Sequence, residues 1–340
     1  MIKVGLIGVG KMGLSHYAIL GAHPRVQVAA VCDSATYMIS ALRKRTGVET
    51  FKDYKKMIDA AGLDCVFVAT PTSTHFEAAS YALERGLHVF VEKPLCLDST
   101  QSKQLSNLAK AKKRANQVGY HNRFIATFRE VRRLVRADAL GDVYQISGSA
   151  LGQVVTKPET GITWRSKKSE GGGCLHDYAS HVVDLMNFIL GVPERVVAAH
   201  LRSIYSKDVE DVVQAMFLYG DGASGNLDTN WSDETCRKMS TTVTVCGTKG
   251  KIIADRQECK VYLRIGADFD GYPSGWTMRY ITDLQAPVNF YLRGEEYSAQ
   301  IDAFVDAVEL GTPEHENSFE SACETDHVID LIMKAGQDRN

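Results

Sequence analysis

Apolar and polar positions keep two different rhythms along this chain. Over the first 120 residues or so, short unbroken apolar runs alternate with stretches where apolar residues recur every three to four positions. Unbroken runs such as Leu87-His88-Val89-Phe90-Val91 read as strands buried on both faces, and the slower rhythm reads as helices covering them. The pattern predicts strands at 3–7, 27–32, 65–69, 87–91 and 117–119, with helices near 11–21, 34–45, 53–60, 74–85 and 98–113. Strand and helix in regular alternation make a doubly wound parallel sheet. From Tyr120-His121-Asn122-Arg123-Phe124 onward the pattern changes. A basic amphipathic helix is expected at 124–138, then a strand at 143–154 and a polar loop holding Trp164 and Arg165. After residue 195, apolar and polar residues alternate in runs at 195–205, 212–219, 223–231, 241–246, 251–254 and 260–264, separated by glycine turns. Such runs form a large, open, mainly antiparallel sheet of hairpins. Helices at 295–310 and 318–335 close the chain. Two domains are therefore expected: 1–121, and 122–340 as an α/β domain carrying the open sheet.

The first strand runs into Gly8-Val9-Gly10-Lys11-Met12-Gly13, a G-x-G-x-x-G at a strand-to-helix turn. Gly8 permits the turn, Gly10 leaves room for a pyrophosphate, and Gly13 lets helix and strand pack closely. The anion then lies on the free N–H groups of the helix start, flanked by Lys11 and Met12. Asp33 ends the second strand, twenty positions past Gly13. A carboxylate there accepts from the adenosine ribose hydroxyls and repels a 2′-phosphate, which favours NAD over NADP. The basic cluster Arg43-Lys44-Arg45 reads as the solvated end of the next helix.

Two more strand ends reach the same sheet edge. Thr70-Pro71-Thr72-Ser73-Thr74-His75 follows the third long strand, and Glu92-Lys93-Pro94 follows the fourth. Ligands of open α/β sheets bind at such carboxyl ends. Thr70, Pro71, His75, Glu92 and Lys93 are candidate cofactor contacts, with His75 read equally well as a first-turn helix residue. Lys93 also places an ammonium at the rim of a site, on backbone stiffened by Pro94.

Bulk properties narrow the classes. The net charge is −2, which points to neither a nucleic-acid nor a membrane surface. No apolar run approaches membrane-spanning length, and Met1 leads straight into a strand rather than a signal peptide. The eight cysteines include no C-x-x-C pair and sit mostly in apolar stretches, as in a reducing cytoplasm. No disulfide framework and no metal are expected; Cys174, His176 and His181 match no closed zinc spacing.

The chemistry of the second domain concentrates in Gly171-Gly172-Gly173, which leads into a helix bearing His176, Asp177, His181 and Asp184. Asp177 and His181 are four apart and share a helical face. A carboxylate beside an imidazole orients the ring and raises its affinity for a proton. His176 lies on another face, and Asp184, one turn on, is placed to support His181. Trp164 offers a stacking face for a sugar ring. Arg123 and Arg165, with Lys157, Lys167 and Lys168 near in sequence, hint at an anionic substrate.

Taken together, the glycine turn, Asp33, Thr70-Pro71 with His75, Glu92-Lys93-Pro94, Arg123-Phe124 and the Gly171–Asp184 segment resemble the glucose-fructose oxidoreductase / inositol dehydrogenase / rhizopine-catabolism (Gfo/Idh/MocA) family. The resemblance runs in order over about residues 1–190. It implies a Rossmann domain at 1–121, and a substrate-binding and oligomerisation domain at 122–340. It implies NAD(P)-dependent redox chemistry at a carbinol carbon of a sugar, cyclitol or sugar derivative, with Lys93, Asp177 and His181 around the reacting carbon. It also implies a cis or strained connection at Lys93-Pro94, and a homodimer or tetramer formed through the open sheet. His181 is then the candidate base, polarised by Asp177, with Lys93 stabilising the reacting oxygen; the runner-up makes Lys93 the base. Arg123, Trp164 and Arg165 join Lys93, Asp177 and His181 as candidate substrate contacts. The alternatives are a non-catalytic dinucleotide-sensing regulator on the same scaffold and an NADPH-dependent carbonyl reductase, the latter disfavoured by Asp33.

Overall fold

Six strands build the first sheet: β1 (Ile2–Ile7), β2 (Val26–Cys32), β3 (Glu49–Phe51), β4 (Cys65–Val68), β5 (His88–Val91) and β6 (Asn116–Val118). They are seen in a computed structural model that describes residues 1–156, 164–312 and 315–337. The five expected strands are joined by β3, which at three residues is too short to leave a periodic signal. All neighbours are parallel, in the order β3-β2-β1-β4-β5-β6. The order reverses between β1 and β4, which opens a crevice at their carboxyl ends. Helices α1 (Lys11–Ala22), α2 (Thr36–Thr46), α3 (Tyr54–Ala60), α4 (His75–Glu84) and α5 (Ser99–Lys112) make the crossovers. Asp53 caps α3 and Asp98 caps α5, each accepting a backbone N–H of the first turn.

The rest of the chain forms α6 (Ala126–Arg136), β7 (Val143–Leu151), α7 (Ser180–Leu190) and then β8 (Arg195–Arg202), β9 (Val212–Leu218), β10 (Ser224–Asn230), β11 (Ser240–Gly247), β12 (Gly250–Asp255), β13 (Glu258–Leu263) and β14 (Gly275–Tyr280). Three helices follow: α8 (Ile281–Leu284), α9 (Glu295–Leu310) and α10 (Phe319–Gln337). The second sheet has eight strands in the order β14-β13-β12-β11-β7-β10-β9-β8. Its neighbours are antiparallel except β7 and β10. One face carries Ile146, Val213, Phe217, Leu227, Val243 and Val261 into the core beneath α6 and α7. Met216, Tyr262, Trp276 and Met278 alternate with these onto the other face, and Trp276 is 61% exposed. The strand β14 is missing from the sequence reading, because its Trp-Met-Tyr alternation is the exposed set of an edge strand.

The chain divides into two units. One contains Met1–His121 with Pro287–Cys323, and the other contains Asn122–Ala286 with Glu324–Asn340. A single crossing at 121/122 is expected from the sequence; the chain in fact returns to the first unit at 287. The cause is the apolar stripe of α9. Tyr297, Ile301, Phe304 and Val305 complete the core around Phe67 and Phe90, whose rings stack with centroids 4.5 Å apart.

Candidate functional site

The glycine turn has the geometry a diphosphate requires. Gly8 has φ +92°, and a Cβ there would lie 2.6 Å from the Ala69 carbonyl oxygen. A Cβ on Gly13 would lie 2.0 Å from the Gly8 carbonyl oxygen, so α1 crosses the turn as closely as backbone allows. At Gly10 nothing lies within 4 Å, and no side chain caps α1. Open space therefore stands before free N–H groups at the positive end of a helix. Lys11 is exposed on the first turn, and Met12 packs half-buried on the core. The Asp33 carboxylate accepts from Val9 N and Ala35 N, each at 2.7 Å. It thereby ties the glycine turn to the start of α2, and a carboxylate with two such bonds retains lone pairs for ribose hydroxyls. The residues fit a bound dinucleotide.

The other two strand ends are knitted together by His75. This buried ring sets Nε2 2.9 Å from the Thr70 carbonyl and Nδ1 3.0 Å from the Pro94 carbonyl, and as a neutral imidazole it donates to one of the two. Burial pushes its pKa down. His75 thus spaces the two loops, while Thr70 remains half-buried and Pro71 exposed at the rim. Thr70 Oγ1 accepts from Thr74 Oγ1. The Lys93-Pro94 peptide is cis. Glu92 accepts from His16 Nε2 at 2.6 Å and from Lys93 N at 3.2 Å. Burial raises its pKa, but His16, Lys93 and His121 more than reverse this, so Glu92 stays anionic beside Lys93. His16 is invisible in the sequence, because a single histidine on a helix carries no signal until the fold sets it beside Glu92.

In the second unit, Gly171-Gly172-Gly173 threads between two fixed groups. A Cβ on Gly172 would lie 2.2 Å from the Arg165 carbonyl oxygen. One on Gly173, at φ +107°, would lie 2.3 Å from Glu210 Oε1. Leu175 N donates to that same Glu210 oxygen at 2.8 Å. Leu175–Ala179 then winds as a π-turn into α7, a wide turn often found at functional sites. Asp177 and His181 are both buried, at 6% and 4% exposure. The Asp177 carboxylate accepts from Arg165 Nε at 2.8 Å, and Asp177 raises the Arg165 pKa. The Arg165 guanidinium lies 4.7 Å from the centre of the Trp164 ring.

The other cations and acids have partners of their own. Arg123 is buried and grips Asp184 with two bonds, Nε to Oδ2 at 2.9 Å and Nη2 to Oδ1 at 2.6 Å. Asp184, expected behind His181, also accepts from Thr325 Oγ1. His176 and Lys168 line a cavity of about 240 Å³ together with Glu210, whose pKa burial pushes up. Lys157 lies outside the described residues. Cys174 Sγ bonds Thr229 Oγ1, and among the described residues no group of three or more His, Cys, Asp or Glu could hold a metal. No helix of the described residues is long and apolar enough to cross a membrane.

A parallel sheet with an open glycine turn after β1, an acid after β2 and an ammonium after β5 defines a dinucleotide-dependent oxidoreductase. The model for the oxidoreductase family with an NAD-binding Rossmann fold matches residues 2–120, and that for the GFO/IDH/MocA C-terminal domain matches 128–253. The chain belongs to the Gfo/Idh/MocA family, and its cofactor is NAD. It is 28% identical over 285 residues to levoglucosan dehydrogenase of Pseudarthrobacter phenanthrenivorans, covering 74% of this chain and 73% of that protein. It is 26% identical over 297 residues to scyllo-inositol 2-dehydrogenase (NAD(+)) of Bacillus subtilis, covering 84% of each. Among solved structures, levoglucosan dehydrogenase with NADH superposes with a TM-score of 0.88 at 24% identity, over 100% of this chain and 98% of the other. GenD2 from gentamicin A biosynthesis, in complex with NAD, gives 0.81 at 28% identity, over 100% and 95%.

Proposed function

We propose that the protein oxidises a carbinol carbon of a sugar, cyclitol or sugar derivative, with Lys93, Asp177 and His181 as its catalytic residues. The observation that carries this reading is a buried Asp177 and a buried His181 on one short segment, in a chain whose other unit carries an open glycine turn after β1 and Lys93 after β5 of the same parallel sheet. NAD, when bound, takes the hydride from the C–H of the substrate. The remaining work is proton handling. His181 accepts the hydroxyl proton, and Asp177, held by Arg165, stabilises the imidazolium that forms. Lys93 donates a hydrogen bond to the reacting oxygen and steadies its growing negative charge. Glu92 keeps the lysine's local field balanced, and His75 keeps the two cofactor-side loops at fixed spacing.

Cofactor contacts are assigned to Gly8, Gly10, Lys11, Met12, Gly13, Asp33, Thr70, Pro71, His75, Glu92 and Lys93. Trp164 and Arg165 flank the substrate. Arg123 acts through Asp184, anchoring α7 rather than reaching the ligand. Self-association as a dimer or tetramer, in the cytoplasm, is assigned to the open sheet face, where Tyr262, Trp276 and Met278 form an exposed apolar patch. The non-catalytic regulator has no observation in its favour, since all three proton-handling residues are present. The test is formation of reduced nicotinamide from NAD with a panel of sugars, inositols, uronates and nucleotide sugars. No turnover of any member, with NAD binding intact, would overturn the reading.

A further inference from the structure

Resting on the reading of Asp177 and His181 as the proton-handling pair, we infer that Glu210, on the loop before β9, is a positioning residue for Asp177. It acts through Gly173, which closes a small ring of hydrogen bonds. Gly173 N donates to the Arg165 carbonyl at 3.1 Å, and Asp177 N donates to the Gly173 carbonyl at 3.1 Å. Arg165 Nε then donates to the Asp177 carboxylate at 2.8 Å. The place of Gly173 therefore bears on both the backbone and the side chain of Asp177. Glu210 sets that place. Its carboxylate fills the space that a Cβ on Gly173 would need, and Gly173 has φ +107°, so only glycine fits against it. Glu210 also caps the turn that carries Asp177. The first N–H groups of a helical segment have no partner within it. Here Leu175 N donates to Glu210 Oε1 at 2.8 Å and Cys174 N donates to the Glu210 carbonyl at 3.0 Å, across 35 positions of sequence in the first case.

A group that positions another must itself be held. Next to Glu210, the fully buried Asp211 accepts from the backbone N–H groups of Ile204, Tyr205 and Ser206, from Ser206 Oγ and from Trp231 Nε1. Asp211 N donates to the Arg202 carbonyl at 2.8 Å, and Trp231 N donates to the Asp211 carbonyl at 3.1 Å. The loop is thus pinned to β8 and to the strand end at Trp231, and Glu210 projects from a fixed mount. An acid could instead act here by its charge. Lys168, Lys207, Asp208 and His176 line a cavity of about 240 Å³ with Glu210, so lysines and carboxylates are matched two to two. Burial pushes the Glu210 pKa up, and the Leu175 N–H and Lys168 only partly reverse this. Little net charge is left to act on Asp177. The bond to Leu175 N needs only an acceptor oxygen at the right reach, which a neutral carboxyl or an amide also supplies.

Three variants of the full-length protein separate reach from charge. Glu210→Gln keeps the reach and loses the charge, Glu210→Asp keeps the charge and falls one methylene short, and Glu210→Ala has neither. With NAD and the carbinol substrate that turns over best, kcat is expected to fall about tenfold or more in Glu210→Ala and Glu210→Asp. In Glu210→Gln it is expected to stay within about threefold of the parent, and KM is expected to move less than about threefold in all three. The NAD dissociation constant is expected to hold, because the glycine turn belongs to the other unit. Amide hydrogen exchange, read by mass spectrometry on the protein without substrate, is expected to speed up about tenfold or more in peptides spanning 173–181 in Glu210→Ala and Glu210→Asp, and to stay parental in Glu210→Gln. If Glu210→Ala fails to fold, Glu210→Asp against Glu210→Gln decides alone. Parental kcat in Glu210→Asp, an equal loss in Glu210→Gln, or parental exchange in Glu210→Asp would overturn the inference and leave the dehydrogenase reading standing. No turnover by the parent would overturn the dehydrogenase reading, and exchange would still decide whether Glu210 holds the segment.

Discussion

The pair of Arg123 and Asp184 gives a sharp test of what a buried charge does near this site. Their side chains are 5% and 0% exposed, and two hydrogen bonds of 2.9 and 2.6 Å join them. Burial still pushes the Asp184 pKa up, against the pull of Arg123. Desolvation therefore outweighs attraction, and the pair is expected to add little net stability. Breaking it is another matter. Asp184→Leu takes a carboxylate and two hydrogen bonds from a buried guanidinium, a loss of about 3–5 kcal/mol. For a unit of this size that lowers the melting temperature by roughly 6–20 °C, at about 2–4 °C for each kcal/mol. Arg123→Met should cost a similar amount. The double variant Arg123→Met/Asp184→Leu should recover most of the loss, because two apolar groups replace two ions. All three tryptophans, Trp164, Trp231 and Trp276, belong to the second unit. Their fluorescence in a denaturant titration therefore reports this unit selectively. The double variant should nonetheless lose about tenfold or more in kcat, since α7 and His181 lose a fixed anchor. A single variant costing less than about 1 kcal/mol, or a double variant as unstable as the singles, would refute the reasoning.

Other expectations follow from single contacts. Gly10→Ala meets no atom within 4 Å, so stability should change by less than about 0.5 kcal/mol. Its NAD dissociation constant, measured by fluorescence quenching, should rise about tenfold or more as the methyl group occupies the diphosphate space. Gly13→Ala, by contrast, drives a methyl group into the Gly8 carbonyl and should destabilise the first unit by about 1–3 kcal/mol or more. Asp211, fully buried, accepts from Ile204 N, Tyr205 N, Ser206 N, Ser206 Oγ and Trp231 Nε1. Burial raises its pKa, but these donors more than reverse the shift. A depressed carboxyl contributes stability above its unfolded value of about 3.9 and loses it as pH falls through the folded value. Asp211→Asn should therefore cost at least about 1.5–3 kcal/mol at neutral pH, with the gap to the parent narrowing below about pH 4 in parallel denaturation curves.

The fold was readable where burial is repetitive. Continuous apolar runs marked β1, β2, β4 and β5, and alternation marked β8 to β13. Two of the four edge strands escaped: β3 is three residues long, and β14 alternates with its aromatic residues turned outward. The return of α9 to the first unit escaped too, because an amphipathic helix does not say which core its stripe will fill. At the site, local geometry was legible and long-range pairing was not. The glycine turn and Asp33 follow from spacing along a few residues. The partners Arg165 for Asp177, Arg123 for Asp184 and His16 for Glu92 lie 12, 61 and 76 positions apart. At such separations the sequence shows cations and anions without showing which meet.

The central claim is that a carbinol carbon yields its hydrogen to NAD while His181 takes the hydroxyl proton. Supply the polyol that turns over best, deuterated at the reacting carbon, and follow deuterium in the nicotinamide by mass spectrometry within one turnover. One deuterium per reduced nicotinamide is expected in the parent protein. The same transfer is expected about 10²–10⁴-fold slower in His181→Ala, with NADH affinity unchanged. No deuterium in the nicotinamide, or transfer at the parental rate in His181→Ala, would contradict it.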